Sequence, residues 1–162
     1  MCLDRMPCCF PPITNHKTEI VILGSFPGRE SLRKQEYYGH KQNQFWKLIG
    51  ACIEEKLHDL PYQRKLAVLT KYRIGLWDVL DSCERKGSLD SNIRNGKQND
   101  FSTITRLQNL KRVCFNGKTA ARHREEFSEV ECAVLPSSSP ANTLRFDKKL
   151  AVWKQAIKRS KS

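Results

Sequence analysis

Four short apolar runs, Glu19–Leu23, Arg73–Leu76, Arg112–Phe115 and Cys132–Leu135, constrain this chain more than any other feature. None shows the strict apolar–polar alternation of a half-exposed strand. Each reads as a strand covered on both faces, the pattern of a parallel sheet. Between and after them lie stretches of helical period. In Gln44–Leu57 the residues Phe45, Ile49, Cys52 and Ile53 fall on one stripe, which Trp46 and Leu57 widen. Tyr62–Tyr72 turns Leu66 and Leu69 inward, and Asp100 is placed to cap Phe101–Leu107, with Phe101, Ile104 and Leu107 inward. Lys118–Phe127 reads as a weakly amphipathic helix with Ala120, Arg124 and Phe127 on one side. The last helix, Asp147–Lys158, puts Leu150, Trp153 and Ile157 in the core and Lys148, Lys149, Lys154 and Lys158 in solvent.

Strands alternating with helices predict a single three-layer α/β/α domain over 17–160, built on a short, mainly parallel four-stranded sheet. Residues 1–16 contain Pro11-Pro12 and no periodicity, so they read as an irregular lead-in. A length of 162 residues suits one such domain. In sheets of this kind a ligand binds beyond the carboxyl ends of the strands, and the chemistry is therefore sought in the loops that follow them.

Charge narrows the partner. The chain carries 29 Lys and Arg against 17 Asp and Glu, a formal charge of +12, which favours a polyanion. The absence of an apolar run of about 18 residues and of a charged-then-apolar leader gives the expectation of a cytoplasmic protein with no membrane partner. The 7 cysteines, at 2, 8, 9, 52, 83, 114 and 132, are odd in number and several sit in apolar periodic segments, as reduced thiols do. Adjacent Cys8 and Cys9 are poorly spaced for an iron–sulfur cluster with Cys83, and the 4 histidines are scattered, so neither a cluster nor zinc is expected.

The first strand runs into GSFPG, Gly24 to Gly28, whose turn can expose amides to an anionic oxygen or a base carbonyl. A turn with no ligand gives the same five residues. YYGHKQNQFW, Tyr37 to Trp46, gathers two aromatic rings, His40 and Asn43 before a helix; rings stack on bases and an amide both donates and accepts. Singly, these residues read equally as packing (Tyr37, Tyr38), a helix-entry hydrogen bond (His40) and a cap (Asn43). The third strand enters FNGKTA, where Asn116-Gly117 makes a tight turn. The fourth enters LPSSSPAN, Leu135 to Asn142, a stiff hydroxyl-rich loop suited to phosphates. Asp78, after the second strand, is a carboxylate candidate for a catalytic base, its alternative being a cap of the next turn. Trp77 reads as core.

In this order, GSFPGRESL, YYGHKQNQFW, GLWDVLDSCERKGSLDSNI, NDF, FNGKTA and LPSSSPAN resemble the uracil-DNA glycosylase superfamily, most closely its hypoxanthine-DNA glycosylase branch, over roughly Ile20 to Trp153. The resemblance implies a DNA repair hydrolase without cofactor or metal, acting as a monomer on single- or double-stranded DNA with a deaminated base, in the nucleoid or nucleus. Most branches place Asp, Glu or Asn two residues after the first Gly of the first motif; here that residue is Phe26. In the hypoxanthine branch the water-holding role passes to an Asn that matches Asn43, and a second functional Asn matches Asn116. Tyr38 matches the ring that stacks on the extruded base, with Gly24, Ser25 and Phe26 as the rest of the base site. Ser137, Ser138 and Ser139 match the loop that grips the backbone, leading to Asn142, Leu144 and Arg145, from which the residue wedged into the duplex would come. His40 precedes a Pro in many relatives, whereas Lys41 follows it here. No lysine stands out as a Schiff-base nucleophile, so hydrolysis without strand cleavage is expected. Hypoxanthine is the first expectation, and uracil or mismatched thymine the alternative. A basic binding module that has lost the chemistry is the rival from another class, with Phe26 in its favour and Asn43 and Tyr38 against it.

Overall fold

The computed structural model describes residues 5–6, 10–85 and 88–158. In chain order the elements are β1 (Arg5–Met6), β2 (Ile20–Gly24), α1 (Arg29–Lys34), α2 (Phe45–Ile53), α3 (Tyr62–Lys71), β3 (Ile74–Asp78) and β4 (Leu80–Glu84). After a 3-10 turn at Asp90–Asn92 come β5 (Arg94–Gln98), α4 (Ser102–Thr105), β6 (Arg112–Asn116), α5 (Lys118–Ala121), β7 (Glu131–Leu135) and α6 (Phe146–Ala156).

The four expected strands form one parallel sheet in the order β3-β2-β6-β7. Successive side chains point to opposite faces, and both faces of β2 are covered. Ile20 and Ile22 join Phe45, Leu48, Ile49, Leu69 and Trp153 on one side. Val21 and Leu23 join Phe101, Ile104, Ala120 and Phe127 on the other. Each such side chain contributes about 1.5–3 kcal/mol by leaving water, so the register is fixed by burial from both sides. That register sets Gly24 opposite Asp78 and Asn116 opposite Leu135, aligning the carboxyl ends of the strands along one rim.

Some expectations need correction. A second, antiparallel sheet, β1-β4-β5, extends the fold and was not foreseen. Arg94–Gln98 (RNGKQ) is exposed throughout, so no apolar alternation marks it as a strand. The lead-in is not separate from the domain: β1 pairs with β4, Ile13 bridges Leu76, and Phe10 is buried. Residues 118–127 are not one helix but α5 followed by a 3-10 turn, and Arg124 is exposed rather than inward. Lys149, expected in solvent, is 1% exposed, because the loop after β7 folds over it. Cys8 and Cys9 lie outside the described residues; Cys52, Cys114 and Cys132 are free thiols, and burial pushes that of Cys114 up to about 12. Among the described residues no helix is long and apolar enough to cross a membrane.

Candidate active site

A cleft of about 1240 Å³ opens along the carboxyl rim of the parallel sheet. Gly24, Ser25 and Phe26 form one wall, Tyr38 and Asn43 enter from the segment before α2, and Asn116 and the loop 136–142 form the opposite wall. The cleft thus joins the loops of three strands with the mouth of a helix. Asn142 and Leu144 also line it, whereas Arg145 does not and pairs instead with Asp147 at 3.1 Å.

Asn116 organises the floor. Its Nδ2 donates to Ser138 Oγ at 3.0 Å and to the Tyr38 hydroxyl at 3.2 Å, while its Oδ1 accepts the Ser138 N–H at 2.9 Å. The next residue makes this approach possible: Gly117 has φ +99, and a Cβ there would stand 3.2 Å from Ser137 Cβ. Tyr38 itself has φ 56, a left-handed conformation uncommon for a side-chain-bearing residue. Its ring stacks on Phe45 at 3.9 Å between centroids. Its hydroxyl is held far above its ordinary pKa, by burial first and then by the charge of Asp78.

Asn43 has a double position. Its Oδ1 accepts the Phe45 N–H at 2.9 Å, satisfying an amide at the start of α2, and the side chain also lines the cleft. The N-cap of α2 is Gln44, with no side-chain cap hydrogen bond, so Asn43 is not the cap foreseen as its structural alternative: it closes a side-chain turn one residue earlier, in the same cleft as Ser25 and Ser138. His40 is exposed, its Nδ1 accepting the Gln42 N–H at 3.1 Å.

The serine loop is stiffened from within. Ser137 Oγ accepts the Ser139 N–H, Ser139 Oγ accepts the Ala141 N–H, and Asn142 Oδ1 accepts the Leu144 N–H. Each serine keeps its own hydroxyl hydrogen to donate. Lys149 Nζ anchors the loop from below, donating to Gln44 Oε1 and to the Asn142 carbonyl at 2.9 Å each; burial lowers its pKa. Lys118 stands exposed at the rim.

Residue reading alone missed a second group beneath GSFPG. Asp90 accepts the Ser25 hydroxyl at 2.7 Å, and the buried Arg85 donates to the Pro27 carbonyl. The Arg85 guanidinium lies 5.5 Å from the Phe26 ring centroid and 4.0 Å from Asp90. Phe26 is thus a packed part of the wall. Both polar residues belong to GLWDVLDSCERKGSLDSNI, which was legible as a motif but whose roles depend on the unforeseen second sheet. Asp78, expected to cap a turn, is instead a cleft residue with a 4% exposed side chain. Burial, and secondarily the Asp90 carboxylate, raises its pKa to about 7, with Arg85 opposing.

Residues 11–160 match the family model of the uracil DNA glycosylase superfamily. A hypoxanthine DNA glycosylase of Methanosarcina acetivorans is 46% identical over 142 residues, covering 86% of this chain and 89% of the other. One of Methanosarcina barkeri is 41% identical over 153 residues, covering 93% and 97%. The solution NMR structure of a Methanosarcina acetivorans protein, described as a candidate uracil DNA glycosylase, superposes with a TM-score of 0.84 at 42% identity, covering 93% of this chain and 96% of that one. With its parallel sheet, its cleft at the strand ends and this similarity along nearly its whole length, the chain belongs to the uracil DNA glycosylase superfamily.

Proposed function

We propose that this chain is a monofunctional DNA N-glycosylase that extrudes a deaminated base, hypoxanthine foremost, and hydrolyses its bond to deoxyribose in base excision repair. The observation that carries this reading is the convergence of Asn43, Tyr38, Asn116 and the serine loop on one cleft. The names of the two Methanosarcina relatives, both hypoxanthine DNA glycosylases, support the choice of base.

Turning a nucleotide out of the stack costs a few kcal/mol. Phosphate contacts from Ser137, Ser139 and Asn142, on a chain of charge +12, offset that cost. Ser138, 1% exposed and bonded to Asn116, holds their loop in place instead of meeting phosphate itself. Leu144, which is 45% exposed beside the cleft, fills the vacated space in the duplex. The Tyr38 ring, backed by Phe45, offers a surface to the base, and the amides of GSFPG face its polar edge.

Bond cleavage puts positive charge on the sugar and negative charge on the departing base. An amide is too weak a base to ionise water, but it can aim one at a sugar cation that has already begun to form. Asn43 fills this role. Its carbonyl oxygen has two lone pairs, one engaged by the Phe45 N–H and one left for water. Asn116, both ends of whose amide are engaged within the floor, acts by fixing Tyr38 and Ser138.

Uracil is the second reading, favoured by the likeness to the solved candidate uracil DNA glycosylase. The enzyme is read as a monomer acting on chromosomal DNA in the cytoplasm. Labelled duplexes containing deoxyinosine, deoxyuridine or deoxyxanthosine, incubated with protein and then treated with alkali, test the proposal. Breaks at deoxyinosine are expected. Binding without breaks at any of the three would make the chain a binding module.

A further inference from the structure

A second groove, of about 400 Å³, opens off the cleft and shares Asp90, Ser91 and Thr119 with it. Its floor is apolar, formed by Leu80 and Ile93. Its walls carry Arg94 from β5, and Arg122 and His123 from just beyond α5. Gly96 keeps that floor open, lying so close to Leu80 that a Cβ would stand 3.0 Å from Leu80 Cδ2. His123 Nδ1 and Gln98 Oε1, 3.1 Å apart, tie the end of α5 to β5.

The core does not account for these walls. All five residues of β5 (RNGKQ) are exposed, so the strand gains nothing from apolar burial and is held by its ladder to β4. Gathering cations there costs repulsion, and neither Arg94 nor Arg122 forms an ion pair with another described side chain. Arg94 Nη1 donates to the Ser91 and Ile93 carbonyls at 3.0 and 2.8 Å, which fixes the guanidinium and leaves its Nε and Nη2 hydrogens for another acceptor. Asp90, the carboxylate of the lining, is engaged by the Ser25 hydroxyl at 2.7 Å and lies 4.0 Å from Arg85. Charge on an edge strand guards it against pairing with another chain. That accounts for Arg94 and Lys97, but Arg122 belongs to a different element and lines the same groove. Lys118, exposed at the cleft rim, and Arg122 are four residues apart on one face of α5. A row of cations thus leads from the cleft into the groove.

We propose that this groove binds the backbone of the lesion-bearing DNA strand a few nucleotides from the extruded base, with Arg94 and Arg122 on phosphates and deoxyribose against Leu80 and Ile93. A strand whose base enters the cleft has to leave across the rim, and the groove begins there, at residues the two share. A backbone laid in it meets guanidinium groups, which pair with phosphate through two parallel hydrogen bonds. The complementary strand lies across the duplex, farther from the groove. The proposal rests on the glycosylase reading above and adds a hold on undamaged DNA outside the cleft.

Fluorescence anisotropy with a duplex carrying an uncleavable abasic analogue tests the groove without relying on base release. The double variant Arg94→Gln/Arg122→Gln should bind about tenfold more weakly at about 0.1 M salt, and the slope of log affinity against log salt should fall by about 2, one for each phosphate lost. Arg64→Gln/Lys71→Gln removes the same charge from α3, which packs on the other face of the parallel sheet, and should change affinity by less than about twofold. A neutral methylphosphonate walked along the lesion strand needs no variant. It should weaken wild-type binding at a phosphate a few nucleotides to one side of the abasic site, and the groove variant should be indifferent to it there. Wild-type affinity and slope in the groove variant, an equal loss in the α3 variant, or sensitivity to methylphosphonate on the complementary strand alone would overturn the proposal. If the wild type releases no deaminated base while the groove variant still loses duplex binding, the catalytic reading falls and the groove stands. If base release is intact and that loss is absent, the groove falls alone.

Discussion

Asn116 and Ser138 clasp each other through two hydrogen bonds, Asn116 Nδ2 to Ser138 Oγ at 3.0 Å and Ser138 N–H to Asn116 Oδ1 at 2.9 Å. The pair joins the end of β6 to the loop after β7, and the Ser138 carbonyl in turn accepts the Gln44 N–H at 2.9 Å, reaching the start of α2. Asn116 is thus a clamp between three parts of the cleft.

Truncating that clamp should loosen it. Asn116→Ala leaves the buried Ser138 N–H without its acceptor, at about 1–3 kcal/mol. A melting temperature lower by about 2–4 °C per kcal/mol is expected, together with slower base release. A melt identical to wild type would show that Ser138 finds another partner.

Asn43 holds the Phe45 N–H and, as proposed, a water, and two substitutions separate the roles. Asn43→Asp keeps an acceptor for the Phe45 N–H and should melt close to wild type. Asn43→Ala loses that hydrogen bond, at about 1 kcal/mol, and should lose about a hundredfold or more in single-turnover release. Near-normal release from Asn43→Ala would remove Asn43 from the chemistry.

The parallel sheet was legible because its strands carry short apolar runs, and Val21, Ile22 and Leu23 are fully buried; β7, expected to be covered on both faces, is instead an edge strand with Val134 39% exposed. The second sheet was not legible, because Leu80–Glu84 (LDSCE) and Arg94–Gln98 (RNGKQ) are held by backbone pairing and carry no apolar period. The same blindness hid Arg85 and Asp90, which reach GSFPG only when that sheet folds. The loops of the cleft were legible because the chemistry follows the carboxyl ends of parallel strands. The state of each side chain within it was not: Lys149 sits on what a helical wheel marks as the wet face, and Asp78 reads as a turn residue until its register with Gly24 is seen.

Asp78 should leave a mark on stability. Its folded pKa of about 7 lies above the ordinary aspartate value of 3.8, so between these values the native state binds more protons than the unfolded chain, and stability falls as pH rises through that window. Asp78→Asn removes this loss. Its stability relative to wild type, from denaturant unfolding, should improve by roughly 2–3 kcal/mol between about pH 5 and about pH 8. A pH-independent difference would mean that Asp78 is not shifted in the native state.

Lys149 is buried with carbonyl partners alone: Gln44 Oε1 and the Asn142 backbone oxygen at 2.9 Å, and the Ser139 oxygen at 3.5 Å. Hydrogen bonds to a charged group contribute about 1.5–3 kcal/mol. Lys149→Met fills the space without donating, so a lower melting temperature and roughly tenfold weaker duplex binding are expected from the loosened serine loop. Unchanged binding in a titration by fluorescence anisotropy would dissociate Lys149 from the DNA-facing loop.

The most direct measurement is the product itself. Under single turnover on a deoxyinosine duplex, chromatography should recover free hypoxanthine in equal amount to the abasic sites formed, with the strand intact until alkali is added. Duplex bound and protected while the base stays attached to its sugar would contradict hydrolysis at this cleft.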